Sequence, residues 1–275
     1  MKVLVRLFVL GFACITSFLN AQVAPVYTDP LNVITSKDPV LIQAIEFLRY
    51  GDSEGALKIL LKNKTGSENS YESYFLKGIA YRQTGDLTNA IHAFTQSVHE
   101  DGFFIPGFFE RGNCYLYRQN FGLAVFDYDR VLLLDSTFLP AYNNRAYARI
   151  RNYGEQGNPT QQLRFAKEDL NKIIEISSVR GDKPRFEYFF NIGLIDLYSS
   201  EYKLASESFS RAIQVDPSIS KAYYFRGASL FLAHSYELAA VDFRTSEEMG
   251  FVHANTPEFL RIIDLVEQYQ QEHKE

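Results

Sequence analysis

The apolar positions of this chain return at helical spacing in paired blocks, and the pair itself returns every 34 residues. The block from Tyr71 to Phe104 overlays Ile105 to Phe138, with Gly78, Tyr81, Ala90 and Phe94 landing on Gly112, Tyr115, Ala124 and Tyr128. Small residues stand where two helices would touch, and large apolar ones fill the positions between them. A period of this length predicts a helix-turn-helix unit that buries its apolar face by stacking on its neighbours.

The register extends both ways. Upstream, Lys37 to Ser70 carries Ala44 where later units have Gly78 and Gly112, then the turn Gly51-Asp52, then Ala56 and Leu60. Downstream, a unit opens at Leu139, with Tyr142, Ala146, Ala166 and Leu170 in phase once about eight extra residues are looped out between its helices. A connector at Gly181 to Arg185 resets the phase before two more units, in which Gly193 and Gly227 are again 34 apart. The reading is six units, at 37–70, 71–104, 105–138, 139–180 with an insertion, 186–219 and 220–253.

These residues resemble the tetratricopeptide repeat (TPR). The match is fullest over Phe186 to Ile219, with Phe189, Ile192, Gly193, Tyr202, Ala205, Phe209, Ala212 and the terminal Asp216-Pro217 in the family's positions. Departures are the absence of Trp, an inter-unit proline kept only at Pro217, and Asp196 and Leu230 in place of the first-helix Tyr. The resemblance implies an all-α fold, a right-handed α-solenoid of about six helix-turn-helix units. It also implies a concave groove, lined by the first helices, that binds a protein or peptide partner.

Both ends depart from the repeat. Lys2 and Arg6 precede an apolar run from Leu7 to Leu19, and Asn20-Ala21-Gln22 supplies a small residue for a cut, so residues 1–21 read as a bacterial secretory signal peptide cleaved near Ala21. Cys14 would be a lipid-attachment site only with Gly11-Phe12-Ala13 as its preceding motif, a poor match; a retained anchor helix is the other alternative. The expectation is an exported protein, periplasmic or envelope-associated. Residues 22–36, with Pro25 and Pro30, read as an extended leader that is either mobile or packed on the first unit. At the other end, Thr256-Pro257-Glu258 has the form of a helix start, and Phe259, Ile262, Ile263, Val266 and Tyr269 make one apolar stripe. Residues 254–275 therefore read as a C-terminal capping helix over the open end of the stack, with a partner-binding helix as the alternative.

Charge and cysteine usage narrow the partners. Losing Lys2 and Arg6 with the signal, and no acidic residue, takes the formal net charge from −5 to −7, which disfavours nucleic acid and anionic membranes. Past the N-terminus there is no apolar run long enough to span a bilayer. Cys114 alone remains in the exported chain, inside a helix beside Gly112, and reads as a packing residue.

The groove residues follow from the resemblance, which puts the second, fifth, ninth, twelfth and thirteenth positions of each first helix on the concave side. The candidates are Phe75, Phe109, Asn113, Tyr117, Asn143, Tyr147, Arg151, Phe190, Tyr198 and Tyr224. Rings interleaved with amides and a guanidinium suit an extended peptide, although several of the rings could instead pack between adjacent helices. A carboxylate clamp is disfavoured: Asn113 and Asn144 match two of its positions, but Phe109 stands where its first Lys belongs. Three units also carry Arg at position seven and Asp on the second helix, predicting the bridges Arg111–Asp127, Arg145–Asp169 and Arg226–Asp242.

Catalytic chemistry finds little support. His92, His99, His234, His253 and His273 form no zinc pattern, no nucleophile elbow or phosphate-cradling loop is present, and Asp127 and Asp129 point to different sides of one helix. No enzyme activity, cofactor or metal is expected. The competing reading is a small-ligand or glycan-binding module using the aromatic groove. Two irregularities remain: the loop Asn152 to Gln162 is either a neutral length variation or a partner-contacting element, and the triplet Arg180-Gly181-Asp182 is assigned no function.

Overall fold

The computed structural model describes residues 29–62, 67–152 and 159–251. The signal segment, the leader before residue 29, the tip of the unit-four insertion and the C-terminal segment 254–275 lie outside the described residues. Twelve α-helices and no strand occur among those described, so the fold is an all-α helical repeat. They fall into two compact units. The N-terminal one holds α1 (Pro39–Arg49), α2 (Ser53–Lys62), α3 (Tyr71–Gln83), α4 (Leu87–Glu100), α5 (Ile105–Tyr117), α6 (Phe121–Leu134) and α7 (Leu139–Arg151). The C-terminal one holds α8 (Pro159–Arg180), α9 (Phe186–Tyr198), α10 (Tyr202–Val215), α11 (Ser220–Leu232) and α12 (Tyr236–Glu248).

Each tight hairpin turns in the same way. The residue after the first helix's cap takes a left-handed conformation, with φ of 77° at Gly51, 82° at Gly85, 59° at Gln119, 62° at Ser200 and 64° at His234. The next N–H reaches back to the last turn of the helix, as in Asp86 N to Tyr81 O at 2.9 Å and Asn120 N to Tyr115 O at 2.9 Å. This is the Schellman geometry, which satisfies carbonyls that the helix end leaves free.

Packing inside a hairpin rests on one pairing. A Cβ placed on Gly78 would lie 2.5 Å from the Phe94 ring, and on Gly112 2.9 Å from Tyr128. Gly193 and Phe209 at 2.8 Å, and Gly227 and Phe243 at 3.0 Å, repeat it in the C-terminal unit. The aromatic ring of the second helix thus occupies the volume a first-helix side chain would need, which brings the two backbones together.

Two expectations are corrected. The extra residues of the fourth repeat do not all form a loop: Pro159 starts α8, and aligning Ala166 with Ala90 leaves α8 about four residues longer than α4 at each end. Proline at a first helical position is a starting signal as well as a loop signal. The leader is not uniformly extended either, because Pro30–Val33 form a 3-10 turn capped by the Asp29 side chain. That turn packs against α5, and Leu31 and Ile34 are buried in the apolar core of the N-terminal unit.

The bridges Arg111–Asp127 and Arg226–Asp242 are present, each with two parallel hydrogen bonds of 2.7 to 2.9 Å. Arg145 donates to Asp129, on the second helix of the preceding hairpin, at 2.6 Å.

Candidate functional site

In the N-terminal unit the first helices α1, α3, α5 and α7 stand side by side, each packed on the next. On α5 the sequence places Glu110, Asn113 and Tyr117 at spacings of three and four, and on α7 it places Asn143, Tyr147 and Arg151 at spacings of four. Each set makes a stripe along one side of its helix. The two stripes meet at a buried polar floor.

Tyr128 Oη, arriving from the second helix α6, donates to Asn113 Oδ1 at 2.8 Å. Asn144 Nδ2 donates to the same oxygen at 3.0 Å, and Asn143 Nδ2 donates to Asn144 Oδ1 at 3.2 Å. Asn113 Nδ2 reaches Glu110 Oε2 at 3.5 Å, and that carboxylate oxygen also lies 3.4 Å from Arg82 Nε on α3. The network therefore ties three successive first helices together, through side chains almost wholly out of water apart from the partly exposed Arg82. Such a network fixes one relative position of the helices, because any slip would strand a buried polar atom.

Electrostatics follow from burial. Desolvation raises the Glu110 pKa above the ordinary carboxylate value, opposed by the Arg82 guanidinium and the Asn113 amide. Desolvation, followed by the nearby Glu110 charge, pushes the Cys114 thiol up to about 12. Cys114 is thus a protonated packing group at neutral pH rather than a nucleophile. Among the described residues no group of three or more His, Cys, Asp or Glu side chains is placed to hold a metal ion. No helix among them is long and apolar enough to cross a membrane.

The expected groove residues separate into three groups. Phe75, Phe109 and Phe190 are core rings and not groove rings: each is at most 1% exposed. Phe75 packs on Phe94 and Phe104 at centroid distances of 5.6 and 5.0 Å, and Phe109 on Tyr128 and Phe138 at 5.8 and 5.1 Å. Phe190 is held likewise by Phe209 and Phe225 at 5.4 and 5.6 Å. Asn113 and Asn143 form the buried floor. Tyr117, Tyr147 and Arg151 reach solvent, Tyr117 most of all, and the Arg151 guanidinium lies 5.6 Å from the Phe121 ring centroid.

In the C-terminal unit, Tyr198 and Tyr224 are half-buried, and Tyr224 packs against Phe225, Phe243 and Phe251. Nearby, the Lys221 ammonium sits 4.9 Å from the Phe190 ring centroid, with its pKa lowered by burial. Asn191, at the repeat position of Glu110 and Asn144, is buried with neither amide atom hydrogen-bonded.

Sequence reasoning missed Glu110, Arg82 and the Tyr128 hydroxyl. The signal was available: the sixth repeat position is apolar in Leu76 and Phe225 but polar in Glu110, Asn144 and Asn191. The pair Asn113 and Asn144 is now explained without a ligand carboxylate, since Asn113 Oδ1 already accepts two donors from within the chain.

Comparison with known proteins agrees with the repeat. Family models described as tetratricopeptide repeat match residues 71–99 and 190–245. The chain is similar in fold to the C-terminal part of a TPR repeat-containing protein from Cytophaga hutchinsonii, at TM-score 0.60 and 17% identity, over 85% of this chain and 87% of that one. It is likewise similar to MamA from Desulfovibrio magneticus RS-1, at TM-score 0.54 and 19% identity, over 70% of this chain and 98% of that one. A tetratricopeptide repeat protein from Parabacteroides merdae gives TM-score 0.54 and 17% identity, over 83% and 97% of the two chains. No curated protein matches the sequence.

Proposed function

Because this chain is a tetratricopeptide-repeat protein, we propose that it is a non-catalytic scaffold holding a polypeptide partner along the first-helix face of its N-terminal unit. The observation that carries this reading is the pairing of a fixed floor with a solvent-facing rim. The floor of Glu110, Asn113, Asn143 and Asn144 is satisfied internally, so it sets the spacing of the helices without needing the partner. The rim of Tyr117, Tyr147 and Arg151 offers rings and a guanidinium that lose little freedom on contact. Preorganisation of this kind favours binding over chemistry.

The location proposed for this work is the periplasm or cell envelope, supported by the basic and then apolar N-terminal segment ending at Ala21. The small-ligand or glycan alternative loses ground, because three of the rings that would have stacked on a sugar are core residues.

The test is cross-linking in the native cells followed by mass spectrometry, comparing wild type with Tyr117→Glu/Tyr147→Glu. A chain captured by wild type and lost from the double variant supports the face as the partner site. Equal capture by both moves the site elsewhere. Export is tested separately, by N-terminal sequencing of the protein from fractionated cells: a chain starting at Gln22 outside the cytoplasm is expected, and an intact cytoplasmic chain starting at Met1 would overturn it.

A further inference from the structure

The first-helix face of the N-terminal unit already carries a short peptide, and it is the chain's own leader. Asp29 Oδ1 accepts the Leu31 N–H at 3.0 Å, and Pro30 opens the single 3-10 turn that follows. This turn packs against α5, two hairpins beyond the helix it leads into. Since α3 stands between α1 and α5, residues 34–38 must cross it to reach Pro39.

The segment has the form of a bound ligand. Leu31 and Ile34, three apart, are buried in one cluster with Ile45 of α1, Ile79 of α3 and Cys114 of α5. Between and after them Asn32, Thr35 and Lys37 are exposed. The polar ties lie at the edge: Arg49 Nη2 donates to Asn32 Oδ1 at 3.3 Å, and Ser67 Oγ donates to Asp38 Oδ2 at 2.6 Å. Two apolar anchors set among exposed polar positions are how a groove holds a peptide.

We propose that the leader is a cis ligand of the first three hairpins, displaced by a partner segment that offers two apolar side chains three residues apart after an Asp-Pro or Asn-Pro turn. The proposal rests on the peptide-holding reading above and adds a gate to it. A tether this short gives the leader an effective concentration of about a millimolar or more, so a partner must outcompete it and its apparent affinity falls in proportion.

The probe is a fluorescent peptide of residues 27–38, titrated into the full chain and into full-length Leu31→Asp/Ile34→Asp, whose leader can no longer seat. The variant should bind the peptide at least ~10-fold more tightly than wild type, and a peptide with the same two substitutions should bind neither. Equal binding to both proteins, or none to a variant of unchanged helical content, would overturn the proposal. Hydrogen exchange on wild type covers the case of a variant that fails to fold. Exchange in residues 29–38 much faster than in α3 is expected of a displaceable ligand, while exchange as slow as α3 would make the leader fixed core and end the idea. Concentration-dependent dimers of wild type, abolished in the variant, would transfer the leader to a second copy and overturn the cis assignment. Peptide binding by the variant with no partner captured in cells leaves the cis ligand standing and removes the scaffold role. Capture lost from the Tyr117/Tyr147 variant, with no peptide binding, does the reverse.

Discussion

Arg111 and Thr95 stand sixteen residues apart on neighbouring hairpins, and Nη1 of the arginine donates to the threonine hydroxyl at 3.3 Å. Its other nitrogens, Nε and Nη2, hold both oxygens of Asp127 in its own hairpin. Arg226 does the same in the C-terminal unit, reaching Ser210 at 3.2 Å with Nη1 while it grips Asp242. Arg145 keeps the offset of sixteen, meeting Asp129 at 2.6 Å. The seventh repeat position therefore staples two hairpins, and at Arg111 and Arg226 it does so in addition to the link within one hairpin that the sequence pattern predicts.

The staple predicts unequal energies. Asp127 is almost fully buried and bidentate, so Asp127→Ala should cost about 3–5 kcal/mol by stranding a half-buried guanidinium. A double-mutant cycle of Arg111→Ala with Asp127→Ala, followed by urea unfolding, should return a coupling of about 2 kcal/mol. Asp129 is half exposed, and its coupling to Arg145 should stay below about 1 kcal/mol. Equal couplings would mean that burial does not set the strength of these pairs.

The turns offer a gain in stability. Gln119 and Ser200 take the left-handed conformation that Gly85 occupies in the equivalent turn. A side chain pays steric strain there that glycine avoids, whereas glycine also adds freedom to the unfolded chain. The first term should win, so Gln119→Gly and Ser200→Gly should each stabilise by about 0.5 kcal/mol. Thermal unfolding checks this; a fall in Tm for both would show that unfolded-chain entropy dominates.

The 34-residue period made the hairpins legible because glycine and a ring must alternate between helices for the backbones to approach. Gly78 with Phe94 and Gly193 with Phe209 are the visible form of that demand. Which side of a first helix meets solvent was less legible. The fifth position lies between its own second helix and the residues that open the next hairpin, so its environment depends on the neighbouring repeat. Phe104 and Phe138 close successive repeats, and they bury Phe75 and Phe109. The buried floor was hidden for a related reason: Glu110 and Arg82 are 28 residues apart, and no local pattern pairs them. The leader's place was beyond reach, since nothing in residues 29–36 announces a contact with α5.

Burial separates the tyrosine rim from the phenylalanine core by experiment. Phe109→Glu puts a charge among Tyr128 and Phe138 in the core and should destabilise by more than about 4 kcal/mol. Tyr117→Glu, on an exposed position, should change stability by less than about 0.5 kcal/mol. Circular dichroism during urea unfolding distinguishes them. Similar losses for both would place Tyr117 in the core and remove it from the partner site.

The pH dependence of stability tests the buried floor. Burial raises the Glu110 pKa above its ordinary value of 4.5, so the folded chain holds a proton there that the unfolded chain releases first. The stabilisation is complete below the unfolded value and is lost as pH rises through the folded one, at up to about 1.4 kcal/mol per pH unit within that window. Glu110→Gln keeps an amide beside Asn113 but cannot ionise, so it lacks this slope. The stability of Glu110→Gln relative to wild type should therefore climb as pH rises from about 4.5 and level off above the folded pKa. Urea unfolding of both proteins between about pH 4 and 8 measures the difference directly. A difference that falls with rising pH would mean that the Arg82 charge outweighs desolvation. The floor would then be held as an ion pair, and Arg82 rather than Asn113 would be the group that positions α5 against α3.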